Sequence, residues 1–332
     1  MQKIYNGLMK IMEAVPNISE GRDEKIIKLL ADAAKNASPA RLLHVDNNTD
    51  ANRTVFTLAG APDDVRQSAF ALIQAAAERI DMRVHSGAHP RLGAADVCPF
   101  IPVKNMTLEE AAFQAEKLAR DAAEKLNLPV YLYEANAQTP QRKNLSFIRK
   151  GEYESLPQKL KELPPDFGPR EFSTGVQKTG AAVIGARNFL IAFNISLNTK
   201  DATSAKQIAS VLREKNGGLP ALKAIGWYMA DYHCAQVSFN LTDYRKTGLA
   251  QTFEACKKEA AKRGLAVTGS ELIGLAPEEA FLNAGRFYAS TQTDKTILLE
   301  TAIRALKLNE IRPFNVKERI LEYVLKLQIK NL

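Results

Sequence analysis

Apolar positions along the chain recur with two periods, and the switching between them predicts its elements one after another. Strand-like residues run over Lys10–Ile18. From Asp23 to Asn36, Ile26, Ile27, Leu29, Leu30, Ala33 and Ala34 fall at helical spacing. Two strands follow, Arg41–Asp46 and Arg53–Ala59, parted by the turn residues Asn47, Asn48, Thr49 and Asp50. A helix over Pro62–Arg79 and a strand over Ala94–Val103 complete a βαββαβ order. Thr107 and Glu110 then stand at capping-box spacing before a further helix, and Pro129–Glu134 reads as another strand.

The second half repeats that order. It reads as strand Arg187–Leu197, helix Asp201–Lys215, strands Ala221–Ala230 and Ala235–Thr242, helix Gly248–Arg263 and strand Ala266–Ile273. Residues from Ala276 onward read as mainly helical and end in the amphipathic KERILEYVLKLQIK. The expected fold class is α+β: two ferredoxin-like βαββαβ subdomains with mixed or antiparallel sheets. The halves share this pattern and no clear residue-level repeat. Between them, Leu163–Gly180 carries Pro164, Pro165, Pro169, Gly168, Gly175 and Gly180, so no regular element is expected there. A bland linker is its default reading, but its length is also that of an ordered ligand-binding loop. The chain divides into an N-terminal extension (1–11), an N-terminal subdomain (12–188) and a C-terminal subdomain (189–330). Met12 is an alternative start to Met1.

Composition narrows the classes. The 332 residues suffice for two domains, and 45% hydrophobic with 25% charged residues is the balance of a soluble globular protein. No apolar run approaches the roughly 20 residues of a membrane helix, and the N-terminus lacks a signal peptide's apolar stretch. Cys98, Cys234 and Cys256 are isolated thiols without CxxC spacing, so a reducing cytoplasm is expected. The net charge of +8 fits an evenly basic surface, or attraction to an anionic ligand. A nucleic-acid partner is not expected: there is no dense Lys/Arg run, no RNA-binding aromatic strand motif, and only 7% aromatic residues.

Chemistry concentrates in RVHSGAHPRLGAADVCPFIPV, Arg83 to Val103. Two of the chain's four histidines, His85 and His89, lie here, among Gly87, Pro90 and Gly93, which shape a loop. Their HxxxH spacing suits zinc only on a helix, which Gly87 and Pro90 oppose, and no third ligand stands out, so no metal is expected. A general acid/base needs one imidazole. His89 is the better candidate, because Pro90 and Arg91 fix and polarise its surroundings; the alternative is a pair of histidines hydrogen-bonded for structure alone. Asp46 could orient a histidine from its strand end, although an Asx-turn role in the hairpin is the default. Arg53 and Arg91 could clamp carboxylates or pair with surface acids. Asn17 or Ser19 could cap the helix that follows, whose free N-terminus would also suit an anion. His44 shares a face with Asp46 and His233 lies in a turn; neither receives a role. GxGxxG, GxxxxGK[ST] and GxSxG are all absent, which argues against dinucleotide, P-loop and serine-hydrolase chemistry.

The segments VPNISEGR, VDNNTDANRTVFTLAG, GAHPRLGAADVCPFIPV, PVYLYE, GEYESLPQKLK, PDFGP, GARNFLIAFNI, AIGWY, AQVSFNLTDY and KERILEYVL resemble the glutamate formimidoyltransferase family. The matching segments are colinear and span most of the chain, and the resemblance is to the stand-alone form without a cyclodeaminase domain. It implies two α/β subdomains with folate in a cleft between them, a homodimer, and transfer of a formimidoyl group from N5 of tetrahydrofolate to L-glutamate in histidine degradation. It places the family's catalytic histidine at His89, the neighbouring aspartate at Asp46, the VPN asparagine at Asn17, and a folate-contacting loop over Asp166, Phe167, Gly168 and Pro169, with Arg170, Phe172 and Gly175 beyond. Ala88 departs from members that carry an acidic residue there, which leaves the local charge open. On this reading His89 shuttles a proton, Asp46 orients it, and Arg53 and Arg91 are anchors for substrate carboxylates by chemistry rather than by family assignment. The rival readings are a glutamate formyltransferase using the 5-formyl donor and a non-catalytic ligand- or RNA-binding protein.

Overall fold

A computed structural model describes residues 9–329, with side chains through Lys326. The expected start at Met1 and most of the extension 1–11 therefore lie outside the described residues, as does Lys330 at the amphipathic end. The chain forms two compact units, one closing at Asn188 and the next opening at Phe189.

The first unit begins with a correction. The single strand expected over Lys10–Ile18 is two, β1 (Ile11–Ala14) and β2 (Asn17–Ile18). Pro16 has no N–H to give to a ladder, so the run breaks there, while its carbonyl still accepts from Phe56 N at 2.9 Å. Then come α1 (Glu24–Ala37), β3 (Arg41–Asn48), β4 (Arg53–Gly60), α2 (Pro62–Arg79), β5 (Ala95–Lys104), α3 (Leu108–Leu126) and β6 (Val130–Leu132). The capping box of α3 closes on both sides, Thr107 accepting from Glu110 N and Glu110 from Thr107 N.

A long excursion follows, with α4 (Leu145–Ile148), α5 (Leu156–Glu162) and α6 (Thr174–Thr179), before β7 (Ala182–Ala186). Two expectations fail here. Leu163–Gly180 does hold a regular element, α6, capped by Ser173. β7 was not foreseen, because five fully buried residues, AVIGA, carry no periodicity to read. The sheet order is β3, β4, then β1 and β2 end to end, then β5, β7 and β6. The pairs β5–β7 and β7–β6 are parallel and the rest antiparallel. One core joins Phe56 and Leu58 of β4 and Phe100 of β5 to Leu30, Leu72 and Leu118 of the helices. Strand alternation therefore turns Arg53, Val55 and Thr57 to the other face of the sheet.

The second unit runs β8 (Ile191–Leu197), α7 (Ala202–Leu212), β9 (Leu222–Met229), β10 (Cys234–Leu241), α8 (Leu249–Ala261) and β11 (Val267–Ile273). The expected strand Arg187–Leu197 thus starts four residues late. Its sheet is antiparallel throughout, in the order β11, β8, β10, β9. Phe193, Phe239, Ile208 and Phe253 share its core. Helices α9 (Glu278–Tyr288), α10 (Lys295–Ala305), α11 (Val316–Arg319) and α12 (Leu321–Ile329) complete it, with Ile320, Leu321 and Val324 buried. Two sheets with their own helices make this an α+β protein. Among the described residues no helix is long and apolar enough to cross a membrane.

Candidate active site

Residues 80–94 form neither helix nor strand, yet neighbours hold them closely. Gly87 lies so near the β3–β4 turn that a Cβ there would stand 2.3 Å from the Ala51 carbonyl oxygen. Ala88 N donates to Asp50 O at 2.9 Å. Asn52, with φ at 46°, is the hub of this contact: its Nδ2 donates to Ser86 O at 2.9 Å and its Oδ1 accepts from Gly21 N at 3.0 Å. Behind the loop, Gly93 meets the strand entering β7, where a Cβ would lie 2.5 Å from Ala181 O. Ala94 N also donates to Thr179 O at 2.8 Å.

The two imidazoles of this loop take opposite tautomers. A carbonyl can only accept, so each ring nitrogen facing one must carry the proton. His85 gives Nε2–H to Asn52 O at 3.0 Å and offers Nδ1 to Arg91 Nε at 3.4 Å. His89 gives Nδ1–H to Pro90 O at 2.7 Å, which leaves the lone pair on Nε2. Burial lowers the pKa of both. For His89 the shift is large, and the positive charges of Arg53 and Arg149 add to it. His89 is therefore a neutral imidazole at physiological pH, its Nδ1–H tied to the neighbouring carbonyl.

Those charges meet at a β-bulge. One step along β2, Asn17 to Ile18, spans two along β5, Val97 to Ala95, and Asp96 is the extra residue. Its fully buried carboxylate accepts from Arg53 Nη1 at 2.7 Å, from Arg149 Nε at 3.2 Å and Nη2, and from Leu92 N at 2.8 Å. Burial alone would raise its pKa, but the Arg149 and Arg53 guanidiniums outweigh that and hold it below the usual range. Burial also pulls Arg53 down to about 10, still a cation at neutral pH. Arg53 Nε binds Asn17 Oδ1 at 3.0 Å, and Asn17 Nδ2 donates to Val15 O at 2.7 Å. Asn17 and Ser19 thus do not cap α1. Asp23 does, accepting from Lys25 N and Ile26 N, while Ser19 Oγ donates to Gly93 O at 2.7 Å.

Arg91 is occupied by its own chain. Nη1 reaches Glu152 at 3.0 Å and Glu154 at 2.7 Å, Nη2 reaches Glu154 and His85 O, and Nε faces His85. Asp46, buried on β3, lies 3.7 Å from His44 Nε2. It shares a cross-strand row with Val55 of β4 and Asn17 of β2. In the hairpin turn, Asn48 Oδ1 accepts from Ala51 N at 2.7 Å.

The segment around Asp166 attaches to β6, two strands beyond β5. Asp166 pairs with Arg142 at 2.7 Å and accepts from Leu132 N at 2.7 Å. Phe167 O accepts from Val130 N at 2.9 Å, and its ring lies 4.4 Å beneath Arg120. Gly168, Arg170 and Gly175 are exposed and Pro169 half-buried, while Phe172 packs on the core near the Tyr153 ring. The structure therefore gathers Asn17 and Arg53 at the Asp96 cluster whose charges act on His89, with Asp46 along the sheet and Asp166–Pro169 at its edge. Asp96, Arg149, Asn52, Glu152 and Glu154 were not foreseen as part of this site. An aspartate inside the apolar run ADVCPFIPV was a signal, since a buried carboxylate demands partners.

Residues 11–187 match the family model for the formiminotransferase domain, N-terminal subdomain, and residues 192–326 that for the formiminotransferase domain. The chain is 40% identical over 287 residues to a glutamate formimidoyltransferase of Streptococcus pyogenes serotype M1, covering 86% of this chain and 95% of that one. Identity to a glutamate formimidoyltransferase of Thermoplasma acidophilum is 42% over 284 residues, covering 84% and 92%. To the formimidoyltransferase-cyclodeaminase of Mus musculus it is 44% over 332 residues, covering 96% of this chain and 60% of that protein. The chain thus spans about three fifths of the length of such two-activity relatives.

Proposed function

Because the chain belongs to the formiminotransferase family, we propose that it transfers the formimidoyl group of 5-formimidoyltetrahydrofolate to L-glutamate, reversibly, giving N-formimidoyl-L-glutamate and tetrahydrofolate, in histidine degradation. In the reaction, the glutamate amine attacks the amidine carbon, the new C–N bond forms, and the bond from that carbon to folate N5 breaks. One proton leaves the amine and one arrives at N5. His89 Nε2 takes the first and returns it as the second.

The observation that carries this reading is the Nδ1–H of His89 held on Pro90 O, which presents Nε2 as the acceptor in a neutral ring. Pro90 O holds the Nδ1 at which Asp46 was expected to orient the ring. We assign Asp46 to the substrate side of the same sheet face, in the row of Asn17, where a carboxylate accepts a hydrogen bond from the incoming amine. Arg53 is the better-supported carboxylate anchor of the two arginines, since Arg91 spends all three guanidinium nitrogens on Glu152, Glu154 and His85. Folate is assigned to the loop from Asp166 to Gly175, with Asp166 and Phe167 fixing the loop and Gly168, Pro169, Arg170 and Phe172 offering contacts. Holding both substrates in register supplies much of the acceleration. Each unit is read as ferredoxin-like, and the working form as a cytoplasmic homodimer.

The test is a glutamate-dependent assay for tetrahydrofolate release, run with 5-formimidoyl and 5-formyl donors side by side. No release from the formimidoyl donor would sink the proposal.

A further inference from the structure

At Asp96 the pairing is two cations to one anion, with the Asp46 carboxylate further along the same sheet face. Arg53 and Arg149 bring two guanidiniums to one carboxylate, with Arg53 and Asp96 buried and Arg149 nearly so. Two buried guanidiniums on one carboxylate are costly, and a further anion beside them relieves that cost. Each arginine also keeps one nitrogen in reserve. Arg53 uses Nε on Asn17 and Nη1 on Asp96, and Arg149 uses Nε and Nη2 on Asp96. Arg53 Nη2 and Arg149 Nη1 have no partner among the described residues. The same Asp96 binds Leu92 N, three residues from His89, which ties the cluster to the loop that carries the imidazole.

Building on the proposed transfer to glutamate, we infer that Arg53 and Arg149, braced by Asp96, form the subsite for the α-carboxylate of the acceptor amino acid, and that Arg149 sets specificity for it. The choice of carboxylate follows from covalent distance. In an α-amino acid the carboxylate sits one carbon from the attacking nitrogen, so an anion bound beside the imidazole brings the amine to Nε2. The folate tail's carboxylates lie beyond the aminobenzoyl ring and cannot reach the same spot while N5 is at the histidine. The side-chain carboxylate of glutamate is two carbons further from the amine.

Arg149 is the informative position, because its removal leaves Arg53 and Asp96 as a balanced pair. The experiment compares L-glutamate with 4-aminobutyrate, which keeps the amine and the distal carboxylate and lacks the α-carboxylate. In Arg149→Gln the glutamate KM should rise by roughly 10- to 100-fold, as for loss of a charge-assisted bond, with the folate KM unchanged. Selectivity over 4-aminobutyrate should fall in proportion. Arg149→Lys should fall between the two. A glutamate KM and selectivity left at wild-type values overturns the inference, provided the wild-type chain shows transfer; absence of transfer in the wild-type chain overturns the functional reading instead. Should Arg149→Gln fail to fold, the imidazole 15N titration of the wild-type chain decides. Saturating glutamate should raise the pKa of His89 and 4-aminobutyrate should not, and equal behaviour of the two ligands would refute the subsite.

Discussion

Arg53 and Asp96 lie 43 residues apart in the chain and meet at 2.7 Å in its interior, where Arg149 joins them from a third segment. Removing the shared carboxylate leaves two buried guanidiniums facing each other. Asp96→Asn should therefore cost about 3–5 kcal/mol of stability, the scale for breaking a buried pair. Adding Arg149→Gln should recover part of that loss. Urea denaturation of both variants measures it, and additive losses would argue against a shared cluster.

His89→Ala should lower turnover by roughly 10²–10⁴, the range for a lost acid–base group, with folate binding retained. His85, whose nitrogens are both engaged by Asn52 O and Arg91, should have a smaller effect on turnover when replaced. Single-turnover rates beside folate titrations separate the two, and near-normal turnover in His89→Ala would remove it from the mechanism.

The pH profile has a defined sign. A base works when neutral, and burial, with Arg53 and Arg149 adding to it, holds His89 well below 6.5. The rate should rise as pH climbs through that lowered value and be level by about 6.5, the ordinary histidine value. Stability shares the window: below about 6.5 the unfolded chain's histidine gains a proton that the folded one refuses, so stability falls with pH down to the folded pKa. Profiles of kcat/KM for the wild-type chain and Arg149→Gln check this, the variant's acid limb lying at higher pH. A wild-type limb centred above the ordinary histidine value would contradict it.

Gly87→Ala tests how tightly the loop is held. Its Cβ would be driven into the Ala51 carbonyl, an overpacking that costs roughly 1–3 kcal/mol. Turnover should fall more than stability suggests, because His89 is two residues away. Thermal unfolding and kcat in the same preparation give both numbers, and unchanged kcat would show that the loop's position is not critical.

Much of this was legible in the sequence, for reasons that differ by element. The helix over Pro62–Arg79 was foreseen with its observed limits, because its apolar stripe and Pro62 mark both pattern and start. β7 escaped, since a short run buried on both faces has no period. At the site, composition and turn residues singled out the loop with His85 and His89. Neither could show that Asn48 braces the hairpin turn through Ala51 N, or that Glu152 and Glu154 claim Arg91, because those partners are decided by side-chain direction and by contacts across about 60 residues. Arg149 carried no local signal, for its meaning depends entirely on where the excursion between β6 and β7 returns.

The additional residue in β5 also sets a rule for how this chain tolerates change in length. Deleting Ala94 or Ala95 would let the strand pair without interruption, so ordinary strand pairing would survive. The carboxylate would then point with its regular neighbours, leaving both arginines without a counter-ion and the histidine loop unmoored. A shortened variant of this kind would keep its strands but lose stability on the scale of Asp96→Asn, and catalysis with it.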